Sequence, residues 1–188
     1  MNKLLFALLL AGTLLLQSCG DNKKESDRVE NAEEANGMKE GREPGLPDDA
    51  AKFAVKATND GMLAVQLSQL ALKKNLTPAL REYADMIIKD HEKANTALKE
   101  LTAKENITLP TTLSIHNQET YERMDQLSGP DFNAQYAKTM LNSQKKTVKL
   151  FEEVAKDVND VDVREFAVKA LPTLKLHLKD IEAIEAVR

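Results

Sequence analysis

Apolar residues recur at alternating steps of four and three along most of the chain beyond residue 48. This spacing places them on one face of an α-helix, so it predicts amphipathic helices that each bury one stripe. One stripe consists of Leu80, Ala84, Ile87, His91, Ala94, Leu98 and Leu101. Another consists of Val163, Ala167, Ala170, Leu174, His177, Ile181 and Ile184. Because no useful length of this region alternates with period two, the pattern predicts an all-α domain.

Turn and capping residues divide the pattern into five predicted helices. Thr77 followed by Pro78 is typical of a helix start, and Gly129 followed by Pro130 separates a short helix from a long one. Pro172 lies inside the last helix and is expected to kink it. We therefore expect a four-helix bundle of two helical hairpins, with a short crossover helix between them. The expected helices cover residues 48–74, 78–104, 114–128, 130–157 and, starting at 160 or 162, the chain to 187.

Two histidines stand in the apolar stripes where leucine or isoleucine is expected. They are His91 in the second predicted helix and His177 in the fifth. Four-helix bundles place metal ions on such inward-facing side chains, although the Glu-x-x-His pairs of di-iron bundles are missing here. Asp60 is the acid on the stripe of the first helix, and Asp90 is adjacent to His91. One interpretation is therefore a single transition metal ion bound by His91 and His177, with Asp60 and Asp90.

A structural interpretation makes both histidines hydrogen-bonded core residues. Their partners would lie on the facing helices or at Gln144, and Asp90 would orient a histidine of another helix. If the set of polar core groups is incomplete, replacing His91 with leucine is expected to stabilise the fold or to leave its stability nearly unchanged. A third interpretation places a small ligand in a pocket beside Pro172. The sequence has no Gly-x-Ser-x-Gly elbow and no glycine-rich phosphate loop, which favours a non-catalytic protein without a cofactor.

The N-terminal residues have the pattern of an export signal followed by a lipid attachment site. Lys3 precedes an apolar run that is too short for a retained membrane span. The stretch "LQSC", residues 16–19, resembles the bacterial lipobox, and this resemblance implies that Cys19 receives acyl chains such as palmitate. Cys19 is the only cysteine, so it has no partner for an internal disulfide. Gly20 replaces the aspartate that commonly retains lipoproteins in the inner membrane, so we expect outer-membrane attachment facing the periplasm.

The region between this site and the helices is polar, charged and rich in turn-forming residues. We expect it to be a disordered tether, which divides the chain into a signal (1–18), a lipidated tether (19–47) and a bundle domain (48–188). The formal net charge of −4 becomes −5 when Lys3 leaves with the signal, so nucleic acid is not an expected partner. The expected partners are the membrane, through Cys19, and an envelope protein.

Three motifs consist of Met86, Asp90 and His91, of Ser128, Gly129 and Phe132, and of Leu171, Pro172, His177 and Leu178. Together they resemble domain-of-unknown-function family 4142, which comprises small ferritin-like bundles exported by bacteria. The resemblance covers about residues 50–185 and implies the bundle fold. It also implies two departures, because relatives typically carry a glutamate where this chain has Ala64 and a second Asp-His where it has Ser143–Gln144. If such relatives carry a set of polar side chains in the bundle core, this chain lacks part of that set.

Overall fold

A computed structural model describes residues 27–37 and 48–188, and this part of the chain contains helices and no strand. The helices are α1 (Arg28–Gly37), α2 (Asp48–Leu72), α3 (Pro78–Lys104), α4 (Ile115–Asp125), α5 (Gly129–Asp157) and α6 (Val161–Ala186). Within the described ranges, none of them is both long and apolar enough to cross a membrane. The expected signal and Cys19 lie outside the described residues.

The four long helices form two hairpins, α2 with α3 and α5 with α6, which pack on each other through α2–α5 and α3–α6. The start of α2 meets the end of α5, where the Phe53 and Phe151 rings lie 5.0 Å apart between centroids. Helices α2 and α6 therefore run in one direction and α3 and α5 in the other. The chain must return along the bundle between α3 and α5, and α4 lies in this crossover. This confirms the predicted all-α bundle of two hairpins with a crossover helix.

Capping residues set the helix boundaries close to the predicted positions. The Thr77 side chain accepts a hydrogen bond from the Leu80 N–H at 3.4 Å, and Ser114 caps α4 in the same way. Gly129 has a φ of 55°, a left-handed conformation that glycine adopts without steric cost, and it begins α5 one residue before Pro130. Helix α6 continues through Pro172.

Helix α1 corrects the expected tether, which was predicted to be disordered up to residue 47. The Asp27 carboxylate accepts hydrogen bonds from the N–H groups of Val29, at 2.9 Å, and of Ile115, at 3.1 Å. The Asn36 side chain accepts from the Thr108 N–H at 2.7 Å and donates to the Thr108 carbonyl at 2.9 Å. These contacts hold α1 against the crossover segment. The sequence did not indicate this because α1 docks through polar side chains rather than an apolar stripe.

A polar layer separates the bundle core into two apolar clusters. On α3, Ile87 belongs to one cluster and Leu98 to the other, with His91 between them. His177 on α6 and Gln144 on α5 occupy the corresponding positions, and all three side chains are buried. The polar layer, defined as His91, Gln144 and His177, therefore lies midway along the bundle.

Candidate functional site

The polar layer brings the two predicted histidines together. His91 and His177 are 6% and 1% exposed. Their rings are stacked, with centroids 5.5 Å apart and planes inclined by 28°. The apolar stripes of α3 and α6 account for this arrangement, because each places its histidine on the face that meets the other helix.

Each imidazole has a hydrogen-bonding side chain on a different helix. His177 Nε2 lies 2.9 Å from Asp90 Oδ2, and His91 Nε2 lies 3.4 Å from Gln144 Nε2. A carboxylate accepts, so His177 Nε2 carries a hydrogen, whereas an amide nitrogen donates, so His91 Nε2 is bare and its hydrogen is on Nδ1. Two predictions are confirmed here: Gln144 is a partner of a core histidine, and Asp90 orients the histidine of another helix.

Burial keeps His91 neutral. The pKa of His91 is lowered from 6.5 to about 4, because desolvation and, to a smaller extent, the nearby His177 lower it more than the Asp90 carboxylate raises it. The neutral form is the one that accepts the hydrogen bond from Gln144. The low pKa of His91 and its hydrogen bond from Gln144 therefore both favour the neutral ring.

Tyr83 extends the polar layer on the other side of Gln144. Its hydroxyl and Gln144 Oε1 are buried, and neither has a hydrogen-bond partner among the described residues. Burial raises the pKa of Tyr83 far above its ordinary value, while the interaction with Gln144 acts in the opposite direction. The phenol therefore stays protonated. Tyr83 lies one helical turn from Ile87 and two from His91, a spacing that could have identified it from the sequence.

Close packing of α2 against α3 borders the same layer. A Cβ atom at Gly61 would overlap the Asn95 side chain, so glycine permits the helices to approach here. The helix pattern indicates only the local cost of a glycine and gives no sign of this contact. Gly61 and Asn95 were not predicted to belong to the site.

A cleft of about 330 Å³ opens over the histidines between α3 and α6. Asp90, His91 and His177 line it together with the apolar side chains of Phe166 and Leu174. It includes the turn of α6 that contains Pro172, where a small-ligand pocket was expected. Its volume falls within the range of small-molecule sites.

Asp60 does not join the histidines. Its carboxylate lies 3.2 Å from the Lys56 ammonium and lines a separate groove between α2, α4 and α5. The expected ligand set of His91, His177, Asp60 and Asp90 is therefore corrected by removing Asp60. It points away because residue 60 lies about 100° around the helix from Gly61, which faces α3.

The remaining groups are not arranged around a common metal position. The lone pairs of an imidazole lie in its ring plane, so those of two stacked rings run side by side rather than converge. His177 Nε2 is occupied by Asp90 and His91 Nε2 by Gln144. In the described part of the chain, no group of three or more His, Cys, Asp or Glu side chains is placed to hold a metal ion.

A comparison with models of known protein families identifies the family of this chain. A family model described as a domain of unknown function (DUF4142) matches residues 35–184. The chain belongs to the DUF4142 family. The match begins within α1, which agrees with the docking of that helix on the DUF4142 bundle.

A solved structure supports the fold of this DUF4142 protein. A DUF305 fragment from Deinococcus radiodurans superimposes with a TM-score of 0.67 over 77% of this chain and 100% of its own. The two sequences are 12% identical, so the likeness concerns the fold alone. The comparison with curated proteins gives no significant match.

Proposed function

We propose that this DUF4142 protein is a non-catalytic helical-bundle lipoprotein, anchored through Cys19 in the outer membrane and facing the periplasm. Its folded domain would contact another envelope protein. The observation that carries the non-catalytic part is the pairing of His91 with Gln144 and of His177 with Asp90. This pairing engages the Nε2 atom of each ring, and it fixes the depth at which the helices meet.

The sequence around Cys19 supports the anchor. A lipobox-like "LQSC" follows an apolar run, and a lone cysteine in an exported protein is explained by acylation. Several acyl chains anchor a protein firmly because each buried methylene contributes about 0.8 kcal/mol. The polar residues after Cys19 would separate the bundle from the bilayer.

Metabolic labelling tests the anchor directly. Cells that express the full chain are grown with radiolabelled palmitate, beside cells that express Cys19→Ser and Ser26→Thr variants. The proposal predicts label in the parent protein and in the Ser26→Thr control, whose change lies outside the lipobox-like motif, and none in Cys19→Ser, which leaves the membrane fraction. Label that persists in Cys19→Ser, or a parent protein without label, would contradict the lipoprotein assignment. Fractionation of outer from inner membrane tests the location.

A second candidate function is binding of a single transition metal ion through His91 and His177. One observation favours it: His177 Nδ1 is buried and has no hydrogen-bond partner among the described residues. Binding would require the rings to rotate out of their stack, and it would use Asp90 as an additional oxygen ligand.

Metal-dependent melting distinguishes this candidate from the first. The full-length protein, a His91→Ala/His177→Ala variant and an Asp60→Asn control are melted with and without zinc, copper(II) or iron(II). Unchanged melting of the parent supports the structural interpretation. Near-stoichiometric binding that raises the melting temperature of the parent and of Asp60→Asn, but not of the double variant, would replace it with metal binding.

A further inference from the structure

A groove of about 620 Å³, lined by both polar and apolar side chains, lies between α2, α4 and α5, on the opposite face of the bundle from the histidine cleft. It shares no residue with the polar layer. The crossover forms one wall, because α4 packs on α2 beside α5. Asn59 fixes this wall by accepting a hydrogen bond from the Ser114 N–H at 2.9 Å.

The groove carries an excess of positive charge in a chain whose net charge is negative. Lys56 from α2, Arg123 from α4 and Lys146 from α5 line it, against the single acid Asp60. His116, on the first turn of α4, is a further basic group. The whole chain has a formal net charge of −4, so this concentration of cations is local. Basic side chains that line one groove from separate helices favour the binding of an anion there.

Salt bridges compensate these cations only in part. Lys56 is paired with Asp60 at 3.2 Å, and the Arg123 guanidinium lies 3.8 Å from Glu119. The Arg123–Glu119 contact is long and exposed, and such pairs contribute little to stability. A guanidinium and an ammonium group both bind phosphate oxygens through charge-assisted hydrogen bonds. Arg123 and Lys146 are thus suited to a phosphate that enters the groove.

The α5 wall supplies neutral groups that hydrogen-bond with hydroxyls. Gln135, Thr139, Asn142 and Ser143 follow one another along this wall. Gln135 Nε2 donates to Thr139 Oγ1 at 3.2 Å, which leaves the amide oxygen as an acceptor. No Phe, Tyr or Trp is among the residues that line this part of the described structure. Nucleobases and planar rings would therefore lack a stacking surface, whereas a hydroxylated ligand meets suitable partners.

We propose that this groove binds the phosphate group of a small polyhydroxylated ligand, such as a sugar phosphate. Arg123 and Lys146 hold the phosphate, and the amides and hydroxyls of α5 contact the hydroxylated body. The site goes beyond the proposed function and does not depend on the anchor at Cys19 or on the histidines.

Isothermal titration calorimetry on the full-length protein in detergent tests the site with three probes: glucose 6-phosphate, inorganic phosphate and glucose. Glucose 6-phosphate is expected to bind and glucose is not. Lys146→Gln and Arg123→Gln are each expected to weaken binding by about tenfold, because each removes a charge-assisted hydrogen bond. Lys138→Gln, an exposed change on α5 outside the groove, removes the same charge and is expected to have no effect.

The probes also distinguish two sources of the phosphate. Equal affinity for inorganic phosphate, with the same loss in both variants, would support phosphate recognition and assign no contribution to the sugar. Tighter binding of glucose 6-phosphate would support the full proposal. Absence of heat with both phosphates, or binding that Lys138→Gln weakens as much as Lys146→Gln, would overturn it. Thermal melting of each variant confirms that these surface changes leave the bundle folded.

Discussion

His91 occupies a position at which the apolar stripe of α3 requires a leucine, and its partner Gln144 explains why an imidazole fits there. The ring is neutral and buried, and its bare Nε2 accepts from the Gln144 amide. The sequence alone suggested that leucine would be tolerated. The structure changes this expectation, because the donor on Gln144 is itself buried.

Replacing His91 with leucine is therefore predicted to destabilise the bundle. The Gln144 amide would lose its acceptor, and a buried unpaired polar group costs about 1–3 kcal/mol. In the His91→Leu/Gln144→Leu double variant both partners are removed, so the loss should be smaller than the sum of the single losses. Urea unfolding of the parent, both single variants and the double variant measures the coupling. Strictly additive losses would contradict the pairing of these side chains.

The lowered pKa of His91 predicts a specific dependence of stability on pH. The unfolded chain takes up a proton near pH 6.5, whereas the folded protein takes it up only near pH 4. The contribution to stability is therefore complete above pH 6.5 and is lost as the pH falls toward 4. Between about pH 7.5 and about pH 4.5 the free energy of unfolding should fall by about 2–3 kcal/mol through this group.

Comparison with a His91→Gln variant isolates that effect from the titration of carboxylates. The variant keeps Asp90 and the other acids, and its amide retains hydrogen-bonding capacity toward Gln144. Unfolding by urea at both pH values should show a smaller decrease in the variant than in the parent. Equal decreases would show that His91 titrates alike in the folded and unfolded states.

At the scale of elements, Gly61 shows how a residue unfavourable to a helix serves the contact between two helices. Glycine inside a helix costs about 1 kcal/mol relative to alanine. A Cβ atom at this position would overlap Asn95 on α3. The gain in helix propensity is therefore offset by a clash.

We predict that Gly61→Ala does not stabilise the parent protein and that Asn95→Ala reverses this result. In the Asn95→Ala background the overlap is removed, so the added methyl group should stabilise the protein by about 1 kcal/mol through helix propensity. Differential scanning calorimetry of the four combinations measures both effects. Equal stabilisation in the two backgrounds would show that the Asn95 side chain moves aside, or that α2 and α3 separate, at little cost.

Most elements could be predicted from the sequence because their boundaries depend on local chemistry. Thr77 and Pro78 fix the start of α3, and Gly129 marks the start of α5. Helix α1 was missed because Asp27 and Asn36 reach the backbone of segments far away in sequence. Contacts of this kind leave no periodic signal.

The candidate site could be predicted only in part, because some of its contacts depend on how separate helices pack. The stripes placed His91 and His177 inside the bundle, but the direction of Asp60 depends on how α2 is rotated against its neighbours. The roles of Gly61 and Asn95 depend on the distance between two helices. Neither the rotation of α2 nor the distance between the two helices can be read from the spacing of residues along one helix.

At the scale of the whole molecule, α1 joins the N-terminal segment to the crossover, and its contribution can be measured. Asn36→Ala removes both hydrogen bonds with the Thr108 backbone and should destabilise the protein by about 1–3 kcal/mol. Glu33→Ala, on the exposed side of α1, is the matched control and should have little effect. Hydrogen exchange of the crossover amides is expected to rise in Asn36→Ala alone. Unchanged exchange and stability would show that the bundle does not use α1.

The central claim is that hydrogen bonds from Gln144 and to Asp90 hold His91 and His177 in the middle of the bundle. Nitrogen-15 NMR of the imidazole rings tests it most directly, with His116→Gln used to assign the third histidine. At about pH 5.5, His91 should be neutral with its hydrogen on Nδ1, because its pKa lies near 4. His177 should carry a hydrogen on Nε2, which it donates to Asp90. Neither signal should change when zinc is added. A His91 ring that is protonated at this pH, or joint shifts of both rings with zinc, would contradict the account.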